Sequence, residues 1–589
     1  MGFNGGKGWR VQPEVVRHAA TCAARALGLV VGVAAANAQP HTPSLISPPP
    51  QAQPLAAVVG DHPVLALKKP LQGSVARGGQ SVALDTQPGQ VVELRFAGAG
   101  VHLDLRNAQG QHLRRLAQDG KGVQTALWVS RGAAQEHLWL SHADTQENPQ
   151  ADTRNFVLEL LALHAPRGPE QPQPQDTPMG PRLQALQTSL QQGHGTHTFW
   201  QEVQQQGTPL VEPWGDGQQL VTFVWRDQGN HNVRLFGSPS GEHSAMRRLP
   251  GSDVWWTSAV MDPRARLSYA LAPDVPLAPD AAQQRRMILS TVQRDPWSRQ
   301  TFPSPLGGHA VDRYQGRSVL QLAQAPAQPW VQAQAGVAQG QLTRHVVHSH
   351  VLGNHRDVWT YVPAGAAPPQ ALLVLFDAQA FVHDVPTPRI LDNLIAQGLL
   401  PPTAAVIVGN ASPQARGQEL PPNPRFAQFM AQELMPWVRA QGLGQMARHT
   451  VVAGSSYGGL VSSYLALVHP EWFGRVLSMS GSYWWAPQGE AAGWMQRAWQ
   501  ALPAPLPAVA FYIDAGTLER SRGGRAGIWE TSHALADVLR ARGLPVVQRQ
   551  WVAGHDYVQW QASLGCGLVA LLAPQHMSDA RLQACQGME

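Results

Sequence analysis

Short runs of alternating polar and apolar residues dominate the chain over residues 60–165. They include VVELRF at 91–96, VHLDL at 101–105, HLWL at 137–140 and FVLELLAL at 156–163, with turns rich in Gly, Asn and Gln between them. Alternation over four to eight residues is typical of strands that bury one face. We therefore predict a β-sandwich or jelly-roll accessory domain here, and we find no cluster of catalytic side chains in it.

A second group of strand-like runs follows a Pro-rich linker at 166–184. Short runs rich in β-branched and aromatic residues, bounded by turn residues, predict an immunoglobulin-like sandwich within 185–340. A Pro/Gln-rich connector is expected to complete this region from about 275 to 340. The predicted strands are LVTFVWR at 220–226, VRLFG at 233–237, VWWTSAV at 254–260 and LSYALAP at 267–273.

The pattern changes over 341–589, where short apolar runs alternate with helical stretches. Such alternation predicts a mostly parallel sheet flanked by helices. The helical stretches include FAQFMAQELMPWVRAQG and ETSHALADVLRARG. The apolar runs are HVVHSHVL, VWTYVP, ALLVLFDA, AAVIVGN, HTVVAGSS, AVAFYIDAG and PVVQRQW.

The amino terminus has the pattern of an export signal. Basic residues precede the apolar run ALGLVVGVAAA at 26–36, which ends in the small-residue sequence ANA. We predict a signal peptide over 1–38 that is cleaved after Ala38, then a Pro-rich linker over 39–59. Since we find no other run of some 18 apolar residues, no membrane span is expected. The expected location is the periplasm.

Length and composition narrow the class of protein only modestly. A chain of 589 residues is too long for one core, and 14% charged residues with 56 glycines and 49 prolines suit β-rich modules joined by linkers. The net charge of +5 gives no strong reason to expect nucleic-acid binding. A mildly basic chain fits an anionic small ligand equally well.

Three cysteines are present, and Cys22 would leave with the signal. The other two, Cys566 and Cys585, either pair as a disulfide in an oxidising compartment or remain buried thiols. Sequence alone leaves both states open, and neither cysteine has the surroundings of a catalytic thiol.

The stretch VVAGSSYGGL at 451–460 contains the pattern Gly-x-Ser-x-Gly, centred on Ser456. An apolar run precedes it and a helix-forming run follows, so the serine lies at a strand–turn–helix junction. This is the context of the nucleophile in an α/β-hydrolase, where the glycines leave room for a tight turn. The pattern makes Ser456 the candidate nucleophile.

A serine nucleophile needs a base, and the base needs an orienting carboxylate. In the α/β-hydrolase fold the order along the chain is serine, acid, histidine. Asp514 and Glu519 both follow Ser456 at the end of a predicted strand, and His555 lies in the turn after the next one. The residues alone leave the choice between the two acids open.

Other conspicuous residues have less specific interpretations. The histidines at 345, 348, 350 and 355 lack the spacing of a zinc site, so no metal site is expected. Trp484 and Trp485 either line a pocket or pack in the core. Arg520 begins a basic loop with the arginines at 522 and 525, which is either solvated or attracts an anionic substrate.

About two-thirds of the chain, over residues 185–589, resembles the enterochelin (enterobactin) esterases of the Fes type. The resemblance implies hydrolysis of the serine ester bonds of a cyclic catecholate siderophore, which eases iron release. The similar segments, in order, are FWQEVQQQGTPLVEP, VTFVWR, VWTYVPAG, LLVLFDAQAF, ILDNLIAQGLLPP, ARGQELPPNPRFAQFMAQELMPWV, VVAGSSYGGL, SGSYWW and VAGHDY.

The resemblance also implies roles for individual residues. It makes Ser456 the nucleophile, favours Glu519 of Gly-Thr-Leu-Glu as the acid, and makes His555 of Gly-His-Asp the base. Backbone N–H groups of Tyr457 and of the turn around Ala378 would form the oxyanion hole. The resemblance also implies a substrate contact at Arg416, and we expect further substrate contacts from Trp485 and Arg520.

Four residues depart from the family pattern. Ser455 replaces an expected glutamine, Tyr457 a phenylalanine, Ala378 a glycine and Phe381 a tryptophan. Ser455 and Tyr457 flank the nucleophile, so we expect substrate selectivity to depend on them.

The expected protein is a periplasmic serine esterase acting on ferric or free enterobactin-like catecholates. It needs no cofactor, since iron would arrive inside the substrate. A general carboxylesterase or feruloyl-type esterase is the alternative enzyme, and a siderophore-binding protein with an inert hydrolase fold is the alternative outside enzymes. The sequence does not determine the oligomeric state.

Overall fold

The computed structural model describes residues 58–59, 62–118, 123–143, 153–165, 168–241, 243–303, 312–365, 367–522 and 524–587. The predicted signal peptide and nearly all of the linker after it lie outside these residues. The described chain forms two compact units. The α/β unit comprises Pro326–Trp551 and the chain from Gln559 onward, and the β-rich unit comprises the chain up to Ala325 together with Val552–Val558.

The first part of the β-rich unit is a sandwich of two sheets, with strand orders β1-β2-β4-β9-β6-β7 and β3-β10-β5-β8. Inward side chains of both sheets, such as Val75, Leu94, Leu103 and Leu140, form one core. The strands are β1 Val58–Val59, β2 His62–Leu65, β3 Leu71–Ala76, β4 Gln80–Leu84, β5 Val91–Ala97, β6 Val101–Asn107, β7 His112–Ala117, β8 Gln124–Val129, β9 Glu136–His142 and β10 Thr153–His164.

A second sandwich follows, with strand orders β11-β12-β15-β14 and β13-β16-β18-β17. Its sheets meet where Phe223 and Tyr269 pack edge to face with ring centroids 4.8 Å apart. The strands are β11 Leu210–Pro213, β12 Gln219–Arg226, β13 Val233–Gly237, β14 Arg247–Arg248, β15 Val254–Met261, β16 Arg266–Pro273, β17 Thr301–Phe302 and β18 Arg317–Gln321, and the helices are α1 Pro181–Gln191, α2 His197–Gln206 and α3 Ala281–Thr291.

The stretch 275–340 is not a simple connector. It contains helix α3 and strand β18, which pairs with β16 as an inner strand of the second sandwich. The sequence did not predict this strand, because only three buried residues lie within a Pro/Gln-rich stretch and no long apolar run marks it.

The α/β unit is built on an eight-stranded sheet of order β19-β20-β22-β21-β23-β24-β25-β26. Strand β20 is antiparallel to both of its neighbours, β19 and β22. The six strands from β22 to β26 in this order are parallel to one another. All residues of β21 to β23 are buried, as expected where both faces of a parallel sheet are covered. The strands are β19 Gln341–Ser349, β20 Asn354–Val362, β21 Ala371–Phe376, β22 Thr403–Val408, β23 Thr450–Ser455, β24 Arg475–Met479, β25 Ala510–Gly516 and β26 Val546–Trp551.

The helices that accompany this sheet are α4 Ala378–His383, α5 Thr387–Ala396, α6 Pro413–Glu419, α7 Pro424–Phe429, α8 Met435–Ala440, α9 Tyr457–Val468, α10 Trp494–Gln500, α11 Ile528–Ala541 and α12 Tyr557–Leu572. A π-helical turn, Met430–Leu434, joins α7 to α8. Cys566 of α12 forms a disulfide with Cys585. In the described residues, no helix is long and apolar enough to span a membrane.

Candidate active site

The candidate nucleophile lies in a sharp turn between β23 and α9. Ser456 has φ 58° and ψ −120°, a strained conformation for a residue other than glycine. A Cβ at Gly454 would lie 2.6–2.8 Å from backbone atoms of Gly458, so the turn closes only without a side chain there. The sequence thus forms the strand–turn–helix junction that exposes a serine at the carboxyl edge of a sheet.

The loop after β24 holds this turn in place. The Ser456 N–H donates to the carbonyl of Met479 at 3.0 Å, and the Ser482 N–H donates to the carbonyl of Ser456 at 3.0 Å. The hydroxyl oxygens of Ser456 and Ser482 are 3.2 Å apart. Ser482 was not among the predicted site residues, and together with Met479 it connects the nucleophile to β24 and the loop after it.

Glu519 lies just beyond β25 and is 9% exposed. Its Oε2 accepts the hydroxyl of Ser480 at 2.7 Å and the N–H of Gly516 at 2.7 Å. The Ser480 hydroxyl in turn accepts the indole N–H of Trp560 at 3.0 Å. Two donors with fixed positions therefore hold this carboxylate beside the loop that also contacts Ser456.

Asp514 lies inside β25 and is 1% exposed. Its carboxylate accepts the indole N–H of Trp551 at 3.0 Å and the N–H of Ser480 at 3.3 Å. Burial, with a smaller contribution from the charge of Glu519, raises the pKa of Asp514 to about 7. An acid that is about half protonated at neutral pH is a poor permanent counter-charge for a histidine, which favours Glu519 for that role.

His555 lies in the turn between β26 and α12, and its side chain is exposed. The strand before it, β26, pairs with β25 in parallel, and Trp551 at its end lies opposite Gly516. The histidine belongs to the segment Val552–Val558, which is part of the β-rich unit.

A second turn meets the nucleophile turn at the same edge of the sheet. Asp377 follows β21 in the left-handed conformation, φ 62° and ψ 53°, and Ala378 begins α4. An ideal Cβ at Gly458 would be 3.6 Å from Oδ2 of Asp377. Tyr457 and Ala378 are each the first residue of a helix, where backbone N–H groups lack an acceptor within the helix.

Arg416 is engaged within this turn rather than projecting freely toward a ligand. Its guanidinium donates to both carboxylate oxygens of Asp377, at 2.7 and 2.8 Å. It also lies 5.8 Å from the ring centre of Tyr457. Burial raises the pKa of Tyr457, and the charge of Arg416 partly opposes that shift. The contacts give Arg416 a role in fixing the left-handed turn before Ala378.

The structure separates the two adjacent tryptophans. Trp485 is 9% exposed and packs edge to face on Trp494 within the core of the α/β unit. Trp484 is 38% exposed, with its ring centre 6.0 Å from that of Tyr457. Trp484, not Trp485, is therefore the indole available beside the nucleophile turn.

Two other residues also differ in their surroundings. Arg520 is exposed, and its guanidinium stacks 4.0 Å from the ring centre of Trp529. Ser455 is fully buried, so any effect of this residue on selectivity would act through the packing of the nucleophile turn. Of the two neighbours of Ser456, only Tyr457 is partly exposed.

Neither of two cavities in the described parts of the chain is lined by the three candidate triad residues. One of about 200 Å³ lies in the β-rich unit beside Trp128 and Glu136. The other, about 370 Å³, lies at the amino-terminal edge of the parallel sheet beside Leu400 and His449. The three candidate residues instead lie on the loops that follow strands β23, β25 and β26.

No group of three or more His, Cys, Asp or Glu side chains among the described residues is arranged to hold a metal ion. The histidines of β19 and β20 have other partners. His345 is hydrogen-bonded to the Thr360 hydroxyl at 2.9 Å, and His348 packs beside His355 with ring centres 5.5 Å apart.

Two family models match separate parts of the chain. The family described as "Enterochelin esterase, N-terminal" matches residues 220–331. The family described as "Putative esterase" matches residues 349–571, which include all three candidate triad residues.

Curated relatives match over most of their own length. The iron(III) enterobactin esterase of Dickeya dadantii is 30% identical over 417 residues, covering 64% of this chain and 93% of the relative. That of Escherichia coli K12 is 30% identical over 407 residues, covering 64% and 97%. The iron(III) salmochelin esterase of Escherichia coli O6:H1 is 28% identical over 417 residues, covering 66% and 97%.

Solved structures of enterobactin esterases match a similar share of this chain. A crystal structure of the Shigella flexneri enterobactin esterase in the presence of enterobactin is 29% identical, covers 65% of this chain and 99% of that one, and has a TM-score of 0.53. The ferric enterobactin esterase of Salmonella typhimurium is 29% identical, with coverage of 64% and 99% and a TM-score of 0.53. Each relative is covered almost end to end, while about a third of this chain is additional.

Proposed function

This chain belongs to the enterobactin esterase family, and we propose that it is a serine esterase that hydrolyses the ester bonds of enterobactin-like catecholate siderophores, ferric or free. The observation that carries the proposal is the nearly full-length match to curated iron(III) enterobactin esterases. The strained Ser456 turn, which retains the conformation of a hydrolase nucleophile, supports it independently.

In this proposal the Ser456 hydroxyl attacks an ester carbonyl of the trilactone. His555 accepts the hydroxyl proton during attack and returns it to the leaving serine oxygen of the siderophore, giving an acyl-enzyme. A water molecule then attacks the acyl group with His555 again as base. The bond between the acyl carbon and Ser456 breaks, His555 returns the proton to the Ser456 oxygen, and the linear product leaves.

Glu519 orients the imidazole and stabilises its positive charge during both steps. The hydrogen bonds from Ser480 and Gly516 support this role, because they fix the position of the carboxylate. The raised pKa of Asp514 and its buried position in β25 support assigning it a structural role in the strand.

The negative charge of the tetrahedral intermediate would lie on an oxygen that faces the N–H groups of Tyr457 and Ala378. The ion pair between Arg416 and Asp377 supports this, because it holds the left-handed turn that aims the second N–H. Arg416 is accordingly a positioning residue first.

A ferric tris-catecholate carries a triple negative charge and aromatic rings. The exposed Arg520 and the indole of Trp484 fit that chemistry, by charge attraction and by stacking respectively. We also infer export to the periplasm, which the signal-like residues 1–38 support and with which the disulfide is compatible. Fractionation of cells that produce the full chain, with amino-terminal sequencing of the mature protein, tests this inference.

The decisive experiment compares purified wild type and Ser456→Ala on enterobactin, ferric enterobactin, a feruloyl ester and a simple aryl ester, with products followed by mass. We expect linear trimer, dimer and monomer from the trilactone and none from Ser456→Ala. Turnover of the feruloyl or aryl ester alone would indicate a general or feruloyl-type esterase. Tight siderophore binding with no turnover would indicate a binding protein.

A further inference from the structure

The segment that carries His555 is attached to the second sandwich. Strand β13 ends at Gly237, opposite Tyr269 of β16, and leaves the first residues of β16 without a strand on that side. The segment Val552–Val558 occupies this position. The Arg266 N–H donates to the carbonyl of Val552 at 3.0 Å, and the Ser268 N–H donates to the carboxylate of Asp556.

Asp556 is the main anchor of this attachment. It is 6% exposed, and its second oxygen accepts the N–H of Val558 at 3.0 Å. Burial raises the pKa of Asp556, while hydrogen bonds from Ser268 and Val558 and the charge of Arg317 oppose the shift. The carboxylate therefore joins strand β16 to the first turn of α12, with the exposed His555 directly before it.

A close contact at Gly554 adds to the attachment. An ideal Cβ at Gly554 would lie 2.1 Å from the hydroxyl oxygen of Ser238 and 3.3 Å from its Cβ. The turn therefore approaches the sandwich on one side of His555 through Gly554 and on the other through Asp556.

We infer that Asp556 is a positioning residue for the hydrolysis, which fixes the backbone on which His555 is mounted by binding it to strand β16 of the second sandwich. The inference rests on the proposed role of His555 as the base. A base must reach the nucleophile within hydrogen-bond distance, and a displacement of about 1 Å can lower the rate about 100-fold. In this inference the second sandwich contributes to catalysis by holding the turn of His555.

The first test is a pair of substitutions at Asp556, measured on the ester that wild type turns over fastest. Asp556→Ala should lower kcat about 10- to 100-fold with KM changed less than about threefold, since the substrate contacts remain. Asp556→Asn keeps one acceptor oxygen and should recover part of kcat. Labelling of Ser456 by a fluorophosphonate should slow in parallel with kcat. The matched control is Asp295→Asn, which should keep wild-type kcat. Asp295 is a buried carboxylate of the same sandwich that accepts a hydrogen bond from Tyr269 instead.

A second test works even where Asp556→Ala fails to fold. Gly554→Ala should lower kcat by pushing the turn away from Ser238, Ser238→Gly should have little effect, and the double substitution should recover activity because it removes the clashing atom. Wild-type kcat in both Asp556→Ala and Gly554→Ala, with His555→Ala inactive, would overturn the inference and leave the proposed function intact. A wild type inactive on every ester would overturn the proposed function, and with it this role.

Discussion

The turn of Ser456 and the turn of His555 both follow strands of the same parallel sheet, yet they are held by different structures. The Ser456 turn has its hydrogen-bonding partners within the α/β unit, at Met479 and Ser482. The His555 turn is bound to strand β16 of an antiparallel sandwich, through Val552 and Asp556. The backbone that carries Ser456 is thus hydrogen-bonded within the hydrolase sheet, and the backbone that carries His555 is hydrogen-bonded to strand β16.

The difference explains why the two turns should respond to different substitutions. Strain at Ser456 is maintained by close packing of glycines inside one rigid sheet, so it should depend on that sheet alone. The His555 turn depends on contacts between residues almost 300 positions apart. Variants in each region can therefore separate the two dependences.

The strongest effect should come from a substitution of the candidate acid, Glu519. Glu519→Gln should lower kcat about 10³- to 10⁴-fold, because the amide cannot stabilise a histidine cation. Asp514→Asn, its neighbour on β25, should change kcat less than about tenfold, since it supports the strand instead. The measurement is the steady-state rate on the preferred ester. The reverse order would transfer the acid role to Asp514.

The Ser456 turn should break next most easily at its glycine contact. Gly454→Ala should lower kcat about 100-fold and the free energy of unfolding by about 1–3 kcal/mol, because the new Cβ has backbone atoms of Gly458 within 3 Å. Gly417→Ala, in helix α6 with nothing within 4 Å, should keep activity and match or exceed wild-type stability. The measurements are the steady-state rate and urea unfolding of both variants. Equal losses in the two variants would show that the Ser456 turn has no particular requirement for glycine.

The buried carboxylate of Asp514 in β25 should make the stability of the protein depend on pH. The pKa of Asp514 rises from 3.8 to about 7 on folding, so between these values the folded state binds more protons than the unfolded chain and stability falls as pH rises. Asp514→Asn removes this dependence. From pH 5 to pH 8 its stability relative to wild type should rise by about 2–3 kcal/mol in urea unfolding. A constant difference would show that Asp514 titrates normally.

The smallest effect on activity should come from the disulfide that ties α12 to the carboxyl terminus. Replacing Cys566 and Cys585 together by alanine should lower the free energy of unfolding by about 3 kcal/mol, as expected for a cross-link over 19 positions. If the His555 turn is held from the sandwich side, kcat should stay within about twofold of wild type. A tenfold fall would show that the anchoring of α12 positions the histidine instead.

Much of the α/β unit could be predicted from sequence, because its central strands are short, mostly apolar runs, as a helix-covered parallel sheet requires. The Ser456 junction was predictable for the same reason: strand, glycine turn and helix are adjacent in the chain. Strand β18 was missed because it has no long apolar run of its own.

Partnerships over long separations could not be predicted. The ion pair of Arg416 with Asp377 joins residues 39 positions apart, and neither residue type signals the other in the sequence. The choice between Trp484 and Trp485 depends on which indole faces the core, and two adjacent residues give no local signal for that. The hydrogen bond from the Ser268 N–H to Asp556 joins residues 288 positions apart, so only the folded chain reveals it.

If the attachment of Val552–Val558 to β16 positions His555, it also has a consequence for folding during synthesis. Synthesis completes the second sandwich well before Asp556 is made, and domains generally fold as units from the amino terminus. Until then the N–H groups of Arg266 and Ser268 form an uncovered strand edge, the kind of surface on which nascent chains aggregate. Closing that edge with the His555 turn would make completion of the chain coincide with the start of activity.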